Sequence, residues 1–173
     1  MRKFTLCFTM ALAVCQGLEF AYAKSIKQTL DNATTTRFNV NEGEVFDEKT
    51  QLTWSRCSVG VTWKQGVGCV GSPKLMSLDE AKHFAKKLGN GWRVPTIDEL
   101  CSILEPRRGK NAINQKVFPD IRDLGEGEAP YWSITKVEDV PTLVYYADFM
   151  RGRVDGHSKG FALAVRLVRS RQR

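Results

Sequence analysis

Catalysis would have to be built from few side chains here: two histidines, His83 and His157, the adjacent carboxylates Asp98 and Glu99, and a handful of cysteines. Neither histidine has further metal ligands at a spacing that would gather them round one ion. Asp98 and Glu99 open a helix, where carboxylates favour the positive end of the dipole, so their role is structural before it is acid–base. No glycine loop of the phosphate-cradling kind occurs, and no cofactor is implied. What the chain does offer is cationic chemistry. Arg107, Arg108 and Lys110 form one basic segment, and Arg151 and Arg153 flank a glycine in another. A guanidinium fork donates two parallel hydrogen bonds to a sulfate or phosphate, which makes these five residues the candidate ligand-binding set. Plain solvation of two loops is the competing explanation. Arg93 and Arg166 stand beside apolar residues and are expected to pair with a carboxylate or to lay their stems along the core.

The stretch that must position these groups runs from Gly89 to Leu100. Thr96-x-x-Glu99 is a capping box, in which the Thr96 side chain and the Glu99 amide, and the Glu99 side chain and the Thr96 amide, satisfy each other. A helix is therefore predicted to begin at Ile97. Pro95 drives Val94 toward extended geometry, so an extended piece turns sharply into that helix. Trp92 is read as the anchor beside this turn, with Pro95, Trp54 and Trp132 as further structural anchors. Ser77-x-x-Glu80 starts an earlier helix, with Leu78, Ala81, Phe84, Ala85 and Leu88 on one face and Gly89 as its stop. Lys82, Lys86 and Lys87 take the wet side, where His83 is expected as well.

The first 23 of 173 residues read as a secretory signal. Arg2 and Lys3 precede an apolar run from Phe4 to Val14, and Ala21-Tyr22-Ala23 offers small residues for cleavage. Val14 before Cys15 fits a lipoprotein signal poorly. The run is shorter than the ~20 residues of a membrane span, so the mature chain is expected to be soluble, in the periplasm or secreted. The full chain carries +7; removing the two positive residues Arg2 and Lys3 and the negative Glu19 leaves +6. A basic exported protein is drawn to anionic surfaces such as sulfated sugars. Cys57, Cys69 and Cys101 remain after cleavage. Export permits a disulfide, and Cys57 with Cys69 is the pair expected, both lying in a glycine-rich stretch. Cys101 shares an apolar helical face with Ile97 and Leu104 and is expected to be a buried thiol.

Residues 24–37 are polar and read as a flexible arm, residues 38–169 as one domain, and 170–173 as a basic tail. Strands are predicted from Phe38 to Val45, through Val45-Phe46-Asp47 and Leu52-Thr53-Trp54, at Tyr131–Thr135, at Leu143–Met150 and at Phe161–Val168. Ser58–Ser72 is expected to be an ordered loop, and so are the basic segment after Pro106 and Val117–Leu124. Arg151-Gly152-Arg153 is a hairpin turn. The fold class is α+β, with two helices, short antiparallel strands, long loops, and N- and C-terminal strands paired.

The order of these landmarks resembles the Lcl C-terminal domain family, named for the C-terminal domain of a bacterial collagen-like adhesin. The matching residues are Asp47, Thr50, Leu52-Thr53-Trp54 with Cys57, then Cys69-x-Gly71 and the Ser77 helix. Gly91-Trp92-Arg93-Val94-Pro95-Thr96 with Glu99-Leu100 follows. Phe118-Pro119, Tyr131-Trp132-Ser133, Asp148-Phe149 before Gly152, and Val165-Arg166-Leu167-Val168-Arg169 complete the set. The family is similar in layout to the C-type-lectin-like fold of formylglycine-generating enzymes. The resemblance implies a compact domain with its ends together, binding of sulfated glycosaminoglycans, and adhesion. The chain lacks a collagen stalk and the Glu-Pro-Asn, Gln-Pro-Asp and Trp-Asn-Asp elements of calcium-dependent lectins, so calcium-mediated carbohydrate binding is not implied. No cysteine follows Cys101, which counts against the enzymatic branch. Two functions are weighed: an exported, non-catalytic module for anionic glycans, and a structural or assembly subunit whose exposed aromatic residues, such as Trp63 and Tyr131, contact an envelope protein. No nucleic-acid partner, membrane span, metal or cofactor is expected, and the oligomeric state is left open.

Overall fold

A computed structural model describes residues 37–108 and 111–170, without side chains at 106–108. The expected signal, the arm up to residue 36 and the tail from 171 lie outside the described residues. The domain beginning at Phe38 is a compact unit. Its strands are β1 (Phe38–Asn41), β2 (Glu44–Asp47), β3 (Leu52–Ser55), β4 (Val61–Lys64), β5 (Gly68–Gly71), β6 (Leu104–Arg108), β7 (Asn111–Ile113), β8 (Pro130–Lys136), β9 (Leu143–Asp148), β10 (Arg153–Ser158) and β11 (Val168–Ser170); its helices are α1 (Leu78–Leu88) and α2 (Ile97–Ser102).

The two ends of the domain meet in one antiparallel sheet of order β1-β2-β3-β11, in which Val168 lies opposite Trp54. A three-stranded sheet, β10-β9-β8, forms the middle layer. Side chains alternate across a strand, and along β8 this separates two cores. Tyr131 joins Phe38, Trp54, Leu100, Phe118 and Phe149 on one face. Trp132 joins Leu78, Ala81, Ala85, Val94 and Val165 on the other, where its Nε1 donates to the Met76 carbonyl at 2.9 Å. β8 and β9 thus contribute to a core on each side, one covered by α1 and the other by α2 with the terminal strands, while β10 is a largely exposed edge. Both helices start as their sequences dictate, with complete capping boxes at Ser77/Glu80 and Thr96/Glu99.

Several expectations need correction. Phe38–Val45 is broken into β1 and β2 by a tight turn with Glu42 at φ 49°. Ser58–Ser72 contains a hairpin, β4 with β5; its glycines mark the turn and strand ends, leaving Val61-Thr62-Trp63 to extend. Arg107 and Arg108 lie in β6, paired with β7, and not in a loop. The last strand is only Val168–Ser170. The chain before it makes single bridges, Leu163 to Met76 and Ala164 to Tyr131, because it runs between separate sheets. On α1, Phe84 and Leu88 are 39% and 49% exposed, flanking the buried stripe of Leu78, Ala81 and Ala85. Cys101 is exposed, since α2 buries only Ile97 and Leu100. Its thiol is pushed up by partial burial and by the Asp98 charge.

Trp54 and Trp132 are wholly buried and Pro95 is buried. Trp92 is half-buried, packed on the second core with the Arg169 guanidinium 4.6 Å above its ring. Cys57 and Cys69 form the expected disulfide, which closes a short loop and contributes about 2–4 kcal/mol.

Candidate functional site

The arginines divide by what they touch. Arg166 is fully buried. One terminal nitrogen, Nη1, donates to the Ser55 carbonyl at 2.7 Å and to that of Arg56, while Nη2 donates to Asp120 Oδ1 at 2.6 Å and to Ser58 Oγ at 3.2 Å. The other carboxylate oxygen of Asp120 accepts the Ser58 amide at 2.6 Å, and Ser58 Oγ bonds the Tyr131 hydroxyl at 2.7 Å. Burial alone would push the Asp120 carboxyl up; the Arg166 charge and the bonds from Ser58 and Arg166 outweigh it and hold it below its ordinary value. This network is a structural rivet joining the C-terminal segment to the loops after β3 and β7.

Arg93 makes a bidentate fork onto Glu99, whose Oε2 also accepts the Thr96 amide at 2.7 Å. The pair therefore locks the capping box. Burial would raise the Glu99 carboxyl, yet the Arg93 hydrogen bonds and the Thr96 amide bring it below the ordinary range. Arg56 donates to three carbonyls, of Val117, Glu42 and Lys116, and covers the Trp63 ring at 4.3 Å. Trp63 is consequently half-buried, and Tyr131, expected to be exposed, is a core residue at 1% exposure. Neither offers the exposed ring that the assembly reading relied on.

Arg151 and Arg153 are different. They sit on the turn between β9 and β10, 36% and 46% exposed, and both bond Glu128 Oε1. Arg151 also donates to the Glu126 carbonyl. The turn itself is built by Asp148, a fully buried carboxylate whose Oδ1 accepts the amides of Ala129, Met150 and Arg151 at 2.9, 2.9 and 3.2 Å. Gly152 closes it at φ 71°, where a Cβ would come within 2.7 Å of the Ala112 Cβ. Ala112 lies in β7, and its amide donates to the Phe149 carbonyl at 2.8 Å. Thus the turn with Arg151 and Arg153 is docked on the strand that pairs with Arg108 through Asn111. Arg107 and Arg108 have no described side chains, and Lys110 is outside the described residues.

A family model for the Lcl C-terminal domain matches residues 43–169. The chain belongs to that family. No curated protein and no solved structure matches it. Lcl C-terminal domains are generally non-catalytic modules, and among the described residues no group of three or more His, Cys, Asp or Glu side chains is placed to hold a metal ion. No helix of the described residues is long and apolar enough to cross a membrane. The disulfide is consistent with an extracytoplasmic setting.

Within this Lcl C-terminal domain, sequence reasoning found the arginines but missed the residues that hold them. Asp148 carried a usable signal, an aspartate directly before a turn that ends in glycine, which is how side-chain-capped turns begin. Glu128 and Asp120 carried none, because their partners lie far away in the chain and meet them only through the fold.

Proposed function

We propose that this Lcl C-terminal domain is an exported binding module for anionic, sulfated glycans, with a use in adhesion, read by the basic residues Arg107, Arg108, Lys110, Arg151 and Arg153. The observation that carries this reading is the docking of the 151–153 turn on β7, through Ala112 and Gly152, which brings two basic segments remote in sequence to neighbouring strands. The ion pairs to Glu128 leave most N–H groups of Arg151 and Arg153 open and hold both guanidinium groups in place beforehand, which lowers the ordering cost of binding. The basic balance of the chain, with pI ≈ 9.3, favours the encounter.

Chromatography on heparin at physiological ionic strength tests it. Retention is expected to exceed that of a control protein of equal charge and to fall on Arg107→Glu with Arg108→Glu. Elution no later than the control in near-physiological salt removes the proposal. The alternative role, an envelope assembly subunit, rests instead on Phe84 and Leu88, the exposed apolar pair one turn apart on α1; it gains if their replacement by serine abolishes co-purification of a stoichiometric envelope protein.

A further inference from the structure

Next to the basic turn, whose arginines bond Glu128 and the Glu126 carbonyl, a cleft of about 610 Å³ opens beside the second core. That volume is within the range of small-molecule sites. Leu75, Pro130 and Leu163 supply its apolar lining. One wall is a pair of stacked rings, His157 on Phe161, with centroids 3.8 Å apart and planes 22° from parallel. Phe161 is nevertheless 52% exposed. A large apolar ring pinned at the surface by a neighbour, and not drawn into either core, is a platform. His157 Nδ1 is buried without a hydrogen-bond partner, and the ring lies stacked on Phe161.

The carboxylates lining the cleft are Glu126 and Glu128, the second already paired through Oε1 with Arg151 and Arg153. Tyr146 faces it from β9. Burial pushes the Tyr146 hydroxyl up. The charges of Asp155, Glu128 and Asp148 push it further and are opposed by Arg153 alone. Counting Arg151 and Arg153 on Glu128, the carboxylates Glu126, Glu128, Asp148 and Asp155 still outnumber the guanidinium groups four to two, so the surroundings of the cleft are negative on balance. Aromatic faces set in a negative field attract a cation with an apolar body through the ring quadrupole and repel an anion.

We propose that this cleft binds a ligand carrying a protonated amine on a ring or apolar framework, the amine meeting Glu126 and Glu128 and the framework lying on the His157–Phe161 stack. The site is distinct in residues and in sign from the anion-binding set. Glu128 touches both through its carboxylate bonds to Arg151 and Arg153, and Glu126 through its backbone carbonyl to Arg151, so Glu128 is left unchanged in the test and only the side chain of Glu126 is altered.

The purified protein is titrated calorimetrically with benzylamine, benzyl alcohol and benzoate at constant ionic strength, three probes that share a ring and differ in charge. Benzylamine is expected to bind about tenfold tighter than benzyl alcohol, with benzoate weakest. Phe161→Ala and Glu126→Gln, both at exposed positions, should each weaken benzylamine severalfold while leaving heparin retention and the circular dichroism spectrum as they were. Equal binding of the alcohol and the amine would make this a neutral stacking surface and overturn the proposal. Absence of binding by all three probes at millimolar concentration, or benzylamine affinity unchanged in both variants, overturns it equally.

Discussion

Arg166 and the pair Arg151/Arg153 pose the same chemical problem, a guanidinium beside a carboxylate, and solve it in opposite surroundings. Arg166 and Asp120 both have fully buried side chains. Their attraction is strong at low dielectric, but so is the cost of having taken both charges out of water, and the balance holds only because Ser55, Arg56 and Ser58 satisfy further hydrogen-bonding groups. Arg151 and Arg153 keep over a third of their side-chain surface in water. An exposed pair of this kind contributes about 0–1 kcal/mol, which leaves its arginines free to exchange a carboxylate for a ligand anion. The same residue type is thus a fastener where the chain encloses it and, in the proposed function, a recognition group where a turn presents it. Burial, more than pairing, makes the distinction.

The largest test of that contrast is Arg166→Met. Removing one partner strands Asp120 as an uncompensated buried charge, and a loss of about 3–5 kcal/mol in denaturant unfolding is expected. Adding Asp120→Leu to Arg166→Met should recover much of it. If the single variant loses less than 1 kcal/mol, roughly the surface-pair value, the contrast fails. Acid provides the same test without mutation. Asp120 and Glu99 have folded-state values below their ordinary 3.8 and 4.5. Their stabilisation is therefore complete above those ordinary values and is lost as the pH falls through the lower folded ones. The melting temperature should drop across that window in the native protein and drop less in Arg166→Met/Asp120→Leu. Next in size is Gly152→Ala, which forces a side chain into a left-handed backbone and against the Ala112 Cβ. About 1–3 kcal/mol should be lost, and with it the docking of the basic turn, so heparin retention should weaken although no charge has changed.

Legibility in the sequence followed the range of each interaction. Both helix starts were readable to the residue, because a capping box is completed within four positions by its own atoms. The same holds for the disulfide between Cys57 and Cys69, whose loop is short, and for the turn at Gly152. The pairing of β11 with β3 needed only the expectation that the ends of such a domain meet. What was misread depended on partners far along the chain. Cys101 looked buried because Ile97 and Leu104 share its helical face, but α2 is too short to bury more than one narrow stripe. Tyr131 looked like an exposed ring because the sequence does not reveal that β8 has a core on each side. The arginines were found as a class, yet their sorting into enclosed and exposed pairs required Asp120 and Glu128, neither of which is close enough in sequence to name its partner.

The smallest effect on stability should accompany the largest effect on binding. Arg151→Ala with Arg153→Ala removes two exposed partners of Glu128, a carboxylate that is itself only partly enclosed and able to take water in their place. Arg153 Nε also stands 3.8 Å from Oδ2 of the buried Asp148, but that carboxylate keeps the amides of Ala129, Met150 and Arg151 on Oδ1, which the substitutions leave intact. Thermal unfolding should therefore shift by no more than about 1 kcal/mol. Heparin retention should nevertheless fall clearly, since two forked donors are gone from the surface docked on β7. An outcome in which stability collapses would place these arginines with Arg166. Unchanged stability with unchanged retention would mean that water alone uses their open N–H groups. Only the split result, a folded protein that has lost its hold on a sulfated polymer, fits a turn held in shape by Asp148 and charged for recognition by the residues on either side of Gly152.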